Sequence, residues 1–241
     1  MSLKSELNKI NFMINSGINV FTQNLPNPLY QTKEKYKKTD KKNNNILLSE
    51  VNNLAELREY FLYFNGCKLK DSCKQTVFSD GNPNSKIMLV GEAPGADEDK
   101  YGKPFVGLAG KLLDKMLNSI NLDRNKVYIS NVIPWRPPNN RQPTTEEILQ
   151  CLPLVQKHIE LIDPYLLILL GGTAAKSLLT TNQGITNLRG KWHQYNTLGL
   201  PNTIMARAIF HPAFLLRSPA FKKETWEDLL EIKKNIKNEN I

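Results

Sequence analysis

No apolar run in the 241 residues approaches the roughly 18 needed to cross a bilayer, which excludes a membrane-spanning helix. The opening stretch, MSLKSELNKINFMINSG, lacks the apolar centre of a secretory signal, so a cytoplasmic location is expected. Cysteine is scarce. Cys67, Cys73 and Cys151 form an odd set in a chain without an export signal, which argues against a disulfide framework. No internal repeat is visible. Acid is in deficit: 32 Lys and Arg against 23 Asp and Glu leave a net charge of +9. That balance favours a polyanionic partner, nucleic acid first, although a lysine-rich proteome would produce the same excess. What is present is an ordinary 40% of hydrophobic residues, enough for one good-sized domain or a domain with an extension.

Residues 1 to about 30 read as an amphipathic helix and a turn, and QTKEKYKKTDKKNNN as a lysine-heavy linker at about 31–45. A helix is expected over NLAELREYFLYF. From Lys86 the pattern becomes regular. Four short apolar runs, KIMLVG, VYISN, YLLILLGG and TIMARAIF, read as strands buried on both faces. Helical segments alternate with them: AGKLLDKMLNSI, TTEEILQCLPLVQKHIELI (opened by Thr144 and Glu147 at capping-box spacing), TAAKSLL and a last helix through KKETWEDLLEIKKNI. The expected fold is α/β, three layers α/β/α around a central four-stranded parallel sheet, with a helical N-terminal extension. The extension is assigned to 1–75 and the main domain to 76–237.

In such sheets the binding crevice lies beyond the carboxyl ends of the strands. Four loops occupy that place: GEAPGADEDKYGKPF, NVIPWRPPNNR, GGTAA and FHPAFLLR. The first is unusual, because it gathers Glu92, Asp97, Glu98 and Asp99 beside a glycine-proline turn in a cationic chain.

Taken together, GEAPGADEDKYGKPFVGLAG, NVIPWRPPNNRQPT and HPAFLLR resemble the uracil-DNA glycosylase superfamily, and within it the type-4 branch. The likeness covers roughly residues 67 to 235, with matching order and spacing. It implies an enzyme that rotates uracil out of DNA and hydrolyses its bond to deoxyribose, leaving an abasic site. Cleavage leaves positive charge on the sugar and negative charge on the departing base, which fixed dipoles and nearby carboxylates can steady.

By that resemblance, Asn131 binds the N3–H and O4 edge of uracil, His211 hydrogen-bonds O2, and Phe105 stacks on the base. Gly91 and Ala93 belong to the same pocket. Glu92 and Glu98 flank it, as groups that favour the cationic sugar, crowd a thymine methyl or position water. Asp97 and Asp99 read as solvent-facing or loop-fixing, His158 and His193 as structural. In a sister branch whose first motif reads Gly-Gln-Asp-Pro-Tyr-His, a water-orienting aspartate stands where this chain has Ala93. Leaving-group stabilisation therefore carries most of the expected chemistry. Leu215 and Leu216 are candidates for a wedge into the base stack, with Arg217 holding the strand. Gly171, Gly172 and Thr173, with Arg141 and Arg189, are the phosphate candidates.

Type-4 relatives usually hold a [4Fe–4S] cluster on four cysteines. Here Cys67 and Cys151 match the first and fourth positions, while Lys70 and Trp135 stand at the second and third and Cys73 is offset by three residues. Such clusters take four thiolates, so no cofactor is expected and packing by Trp135 in place of metal is the reading. The expected partner is uracil-containing DNA, single- or double-stranded, with no membrane and a monomeric protein. Two alternatives remain at this level: a nucleic-acid-binding module of the same fold without catalysis, and a nucleotide-processing α/β enzyme.

Overall fold

The computed structural model describes residues 47–239. The amphipathic helix over 1–30 and the linker at 31–45 lie outside the described residues. The elements are α1 (Leu54–Tyr63), α2 (Leu69–Ser72), β1 (Asp80–Gly81), β2 (Ile87–Gly91), α3 (Ala96–Tyr101), α4 (Leu108–Ser119) and β3 (Tyr128–Asn131). They continue with α5 (Thr145–Ile162), β4 (Leu166–Leu170), α6 (Gly172–Leu178), α7 (Ile185–Leu188), β5 (Trp192–Tyr195), β6 (Ile204–Ile209), α8 (Pro212–Arg217) and α9 (Lys222–Glu239).

The sheet runs β1-β3-β2-β4-β6-β5. Its four central strands are parallel and coincide with the four apolar runs. Strands β1 and β5 add antiparallel edges that the sequence reading missed. Both are short and lack an apolar run: β5 is Trp-His-Gln-Tyr with only Tyr195 buried. Alternation of side chains divides the core into two layers. Met88, Val90, Leu167 and Leu169 face one side with Leu57 and Phe61 of α1 and Leu154 and Ile159 of α5. Ile87, Leu89, Ile168 and Leu170 face the other with Leu113 of α4, Leu215 of α8 and Ile232 of α9. Every residue of β2 and β4 is therefore buried.

The segment 47–75, read with the extension, packs into the same core through Val51, Leu57, Phe61 and Leu69. Helix α5 opens as its sequence indicates: Glu147 N–H donates to Thr144 Oγ1 at 3.2 Å, and Thr144 N–H to Glu147 Oε2 at 2.8 Å. Among the described residues no helix is long and apolar enough to cross a membrane.

Candidate active site

The carboxyl ends of β2, β3, β4 and β6 bound a cleft of about 780 Å³, whose walls include Glu92, Phe105, Asn131, Thr173, His211 and Arg217. Register sets its floor. Gly91 ends β2 directly opposite Asn131 at the end of β3. A Cβ at Gly91 would collide with Asn131 Oδ1 and would lie 2.6 Å from Phe105 Cζ, so glycine there lets the amide and the ring close on one space. The Phe105 ring stands 5.5 Å from the His211 ring, tilted by 32°. On the far side, Gly171 has φ 93°, and a Cβ there would sit 3.0 Å from His211 Cβ. Asn131, Phe105 and His211 thus adjoin around one cavity.

His211 is the N-cap of α8. Its Nδ1 accepts the Ala213 N–H at 3.1 Å. Burial, helped by the charge of Arg217, lowers its pKa to about 4. A ring that is neutral near pH 7 and accepts at Nδ1 carries its proton on Nε2, a donor free for a ligand.

Phe105 is an aromatic residue at φ 55°, a backbone conformation that costs on the order of 1–3 kcal/mol and must be imposed by its surroundings. Glu98 supplies part of that constraint. Its Oε1 accepts Val106 N–H at 2.9 Å and Gly107 N–H at 3.0 Å, and its Oε2 accepts Gly95 N–H at 3.1 Å. The carboxylate is thus engaged with backbone on both oxygens. Glu92 instead accepts a hydrogen bond from the Thr173 hydroxyl in the first turn of α6. Of the other two acids in the loop, Asp97 is exposed, while Asp99 is buried and accepts Lys74 N–H at 2.7 Å, fixing the loop.

Ala93, Gly171, Gly172 and Arg141 also line the cleft, together with Lys176, a cation the sequence reading missed. Its signal was its place one turn after the glycine pair in GGTAAKS, which puts it on the same helix face. Arg141 is bonded in two places to Glu147, at 2.9 and 2.6 Å, which holds that carboxyl down to about 2.

Two candidates are corrected. Arg189 does not reach the cleft: its Nε donates to Asp228 at 2.8 Å and its Nη2 to the Glu224 carbonyl at 2.7 Å. Asp228 is fully buried and shared between Arg189 and Arg207, so releasing Arg189 to a phosphate would leave Asp228 Oδ2 without the donor that satisfies it. Leu215 is 1% exposed, in the core layer it shares with Leu113 of α4 and Ile232 of α9, and unable to enter a base stack, whereas Leu216 is 44% exposed. His158 lies buried beneath Tyr128, whose hydroxyl stands 2.7 Å from Nε2, and burial lowers its pKa to about 3. His193 bonds the Leu188 carbonyl.

The cysteine positions do not fit a four-thiolate cluster. Cys67 and Cys151 are both buried in the same core layer, and the neighbouring Cys151 thiol pulls the Cys67 pKa down. Cys73 donates to the Lys70 carbonyl at 3.3 Å. Lys70 Nζ caps the end of α1 through the Leu62 and Phe64 carbonyls. Trp135 is fully buried, stacked on Phe64 at 5.7 Å and 7°, with Nε1 donating to Thr76 at 3.0 Å.

Comparison with known proteins gives a consistent result. The family model described as "Uracil DNA glycosylase superfamily" matches residues 78–230. A type-4 uracil-DNA glycosylase of Saccharolobus solfataricus is 39% identical over 180 residues, 73% of this chain and 82% of that protein. One of Archaeoglobus fulgidus is 40% identical over 170 residues, 69% of this chain and 84% of that protein. One of Thermotoga maritima is 39% identical over 176 residues, 72% and 89%.

Proposed function

The chain belongs to the uracil-DNA glycosylase superfamily, and from that membership we infer that it is a uracil-DNA glycosylase of DNA repair, acting on DNA as its substrate. The observation that carries the reading is the meeting of Asn131, Phe105 and His211 around one cavity at the strand ends.

In the proposed reaction the uracil nucleotide is extruded into the cleft, because its glycosidic bond cannot be reached inside a stack. Phe105 stacks on the ring. The Asn131 amide donates to O4 and accepts from N3–H; cytosine offers the reverse pattern and would leave buried polar groups unpaired, at about 1–3 kcal/mol each. As the bond to the sugar lengthens, charge gathers on uracil O2, where the His211 Nε2–H donates to it. Glu92, oriented by Thr173, faces the cationic sugar. Glu98 acts on the site through the loop it holds. Ala93 offers no carboxylate base, so water attacks late and departure of the base dominates the barrier. No lysine stands at a nucleophile position in the motifs, so the enzyme is monofunctional and leaves an abasic site. Leu216 enters the gap left by the base, while Lys176, Arg217 and the turn at Gly171–Thr173 meet phosphates; Arg141 contributes only by releasing Glu147.

Packing replaces the cluster: Trp135, Phe64 and Lys70 occupy and tie together the region that four thiolates would organise. No metal or other cofactor enters the reaction. A single chain as the working unit and the cytoplasm as its compartment belong to the same proposal, as does uracil-containing DNA, single- or double-stranded, as the substrate.

The deciding measurement is base release from U:G, U:A, T:G and hypoxanthine-containing strands. Uracil release is expected from the wild type, with His211→Ala slower by about 100- to 1000-fold. Asn131→Ala should lose most uracil release as well. Tight, salt-sensitive binding of these strands without any release would instead identify a binding module.

A further inference from the structure

Phe105 is held from two sides, and only one of them belongs to the cleft. Glu98 takes the N–H groups that follow Phe105. Behind the loop, outside the cleft wall, Arg124 takes the carbonyls: its Nη1 donates to Pro104 O at 3.2 Å and its Nη2 to Phe105 O. The same guanidinium is anchored by Asp80 of β1 at 2.7 Å and Asp114 of α4 at 2.8 Å. Four bonds from one planar group leave it a single orientation. Gly110 completes the seat, since a Cβ there would collide with the Phe105 carbonyl.

We propose that Arg124 is a positioning residue for base recognition: it locks the left-handed backbone of Phe105 and so presents the ring to the extruded base before DNA arrives. Asp80 and Asp114 orient the guanidinium, and Glu98 closes the clamp from the cleft side. A free Phe105 would relax toward negative φ and carry its ring away from Asn131 and His211. The proposal rests on the stacking role given to Phe105 above.

The test is a double-mutant comparison on the full chain, reading single-turnover uracil release from single-stranded DNA and inhibition by free uracil. Arg124→Met should slow release and weaken uracil inhibition by about 10- to 100-fold, the scale of a misplaced group far from the chemistry. DNA binding should hold. In a Phe105→Ala background the same substitution should change either readout by less than about twofold, because the residue it acts through is gone. Arg189→Met, which breaks another arginine clasp away from the cleft, should lower the melting temperature and leave uracil inhibition unchanged. Equal losses from Arg124→Met with and without Phe105 would overturn the proposal, as would no loss where Phe105→Ala alone is impaired. A Phe105→Ala protein with normal release and inhibition would sink the stacking role itself, and this inference with it. Should Arg124→Met fail to fold, Arg124→Lys carries the same comparison, since one ammonium cannot span two carbonyls and two carboxylates.

Discussion

At the scale of single residues, His211 illustrates how the backbone sets chemistry. The Ala213 N–H occupies Nδ1, and burial disfavours the charged ring, so the folded-state pKa falls to about 4 from an ordinary value near 6.5. The sign follows directly. As pH drops through 6.5 the ring stays neutral with its Nε2 proton in place, and it charges only near 4. The acid limb of kcat/KM is therefore expected well below 6.5, with no inflection at that value. Stability moves differently. Unfolded His211 and His158 take up protons near pH 6.5 while the native rings do not, so the melting temperature should fall between pH 7 and 5 although activity per folded molecule holds. A thermal melt and an activity series over that window check both halves. An inflection at pH 6.5 would mean that the ring is open to water and that its donor is not preset.

Individual elements show which parts of this arrangement are legible in a bare sequence. Helix α8 carries Leu215 and Leu216 side by side, and the motif cannot say which one faces out. The fold decides it: Leu215 fills the core layer covered by α4 and α9, and Leu216 projects. Leu215→Ala should cost about 2–5 kcal/mol of stability and act alike on all substrates. Leu216→Ala should leave stability nearly unchanged and slow release from duplex DNA more than from single strands, since only a duplex has a partner stack to fill. Paired melting curves and rates on both substrates separate them. The same limit explains Arg189. Its sequence neighbourhood resembles any loop cation, and only the approach of α9 with Asp228 reveals its ion pair. The four parallel strands were legible because continuous apolar runs have few alternatives, whereas β1 and β5 owe their pairing to neighbouring strands. Asn131, Phe105 and His211 were legible through motifs. The clamp on Phe105 was not, because Arg124 lies 19 residues further along the chain and carries no local signal.

For the molecule as a whole, the question is what organises the layer between α1, α2 and α5. Four thiolates would draw these segments together through one cluster, but here Cys67 and Cys151 provide a pair and the rest is hydrocarbon and backbone bonding. Trp135 contributes a fully buried indole against Phe64, and its N–H is satisfied by Thr76, so it acts as a centre of packing that incurs no polar penalty. Lys70 adds the cap on α1. A fold held this way should be indifferent to iron. Protein purified with and without oxygen is expected to show no absorbance shoulder near 400 nm and no stoichiometric iron, and a chelator should leave its melting temperature unmoved. Trp135→Ala should instead cost about 3–5 kcal/mol, with uracil release per folded molecule preserved, because the plug lies outside the cleft. Iron at one cluster per chain, lost together with stability on chelation, would refute the substitution of packing for metal while leaving the cleft and its chemistry intact.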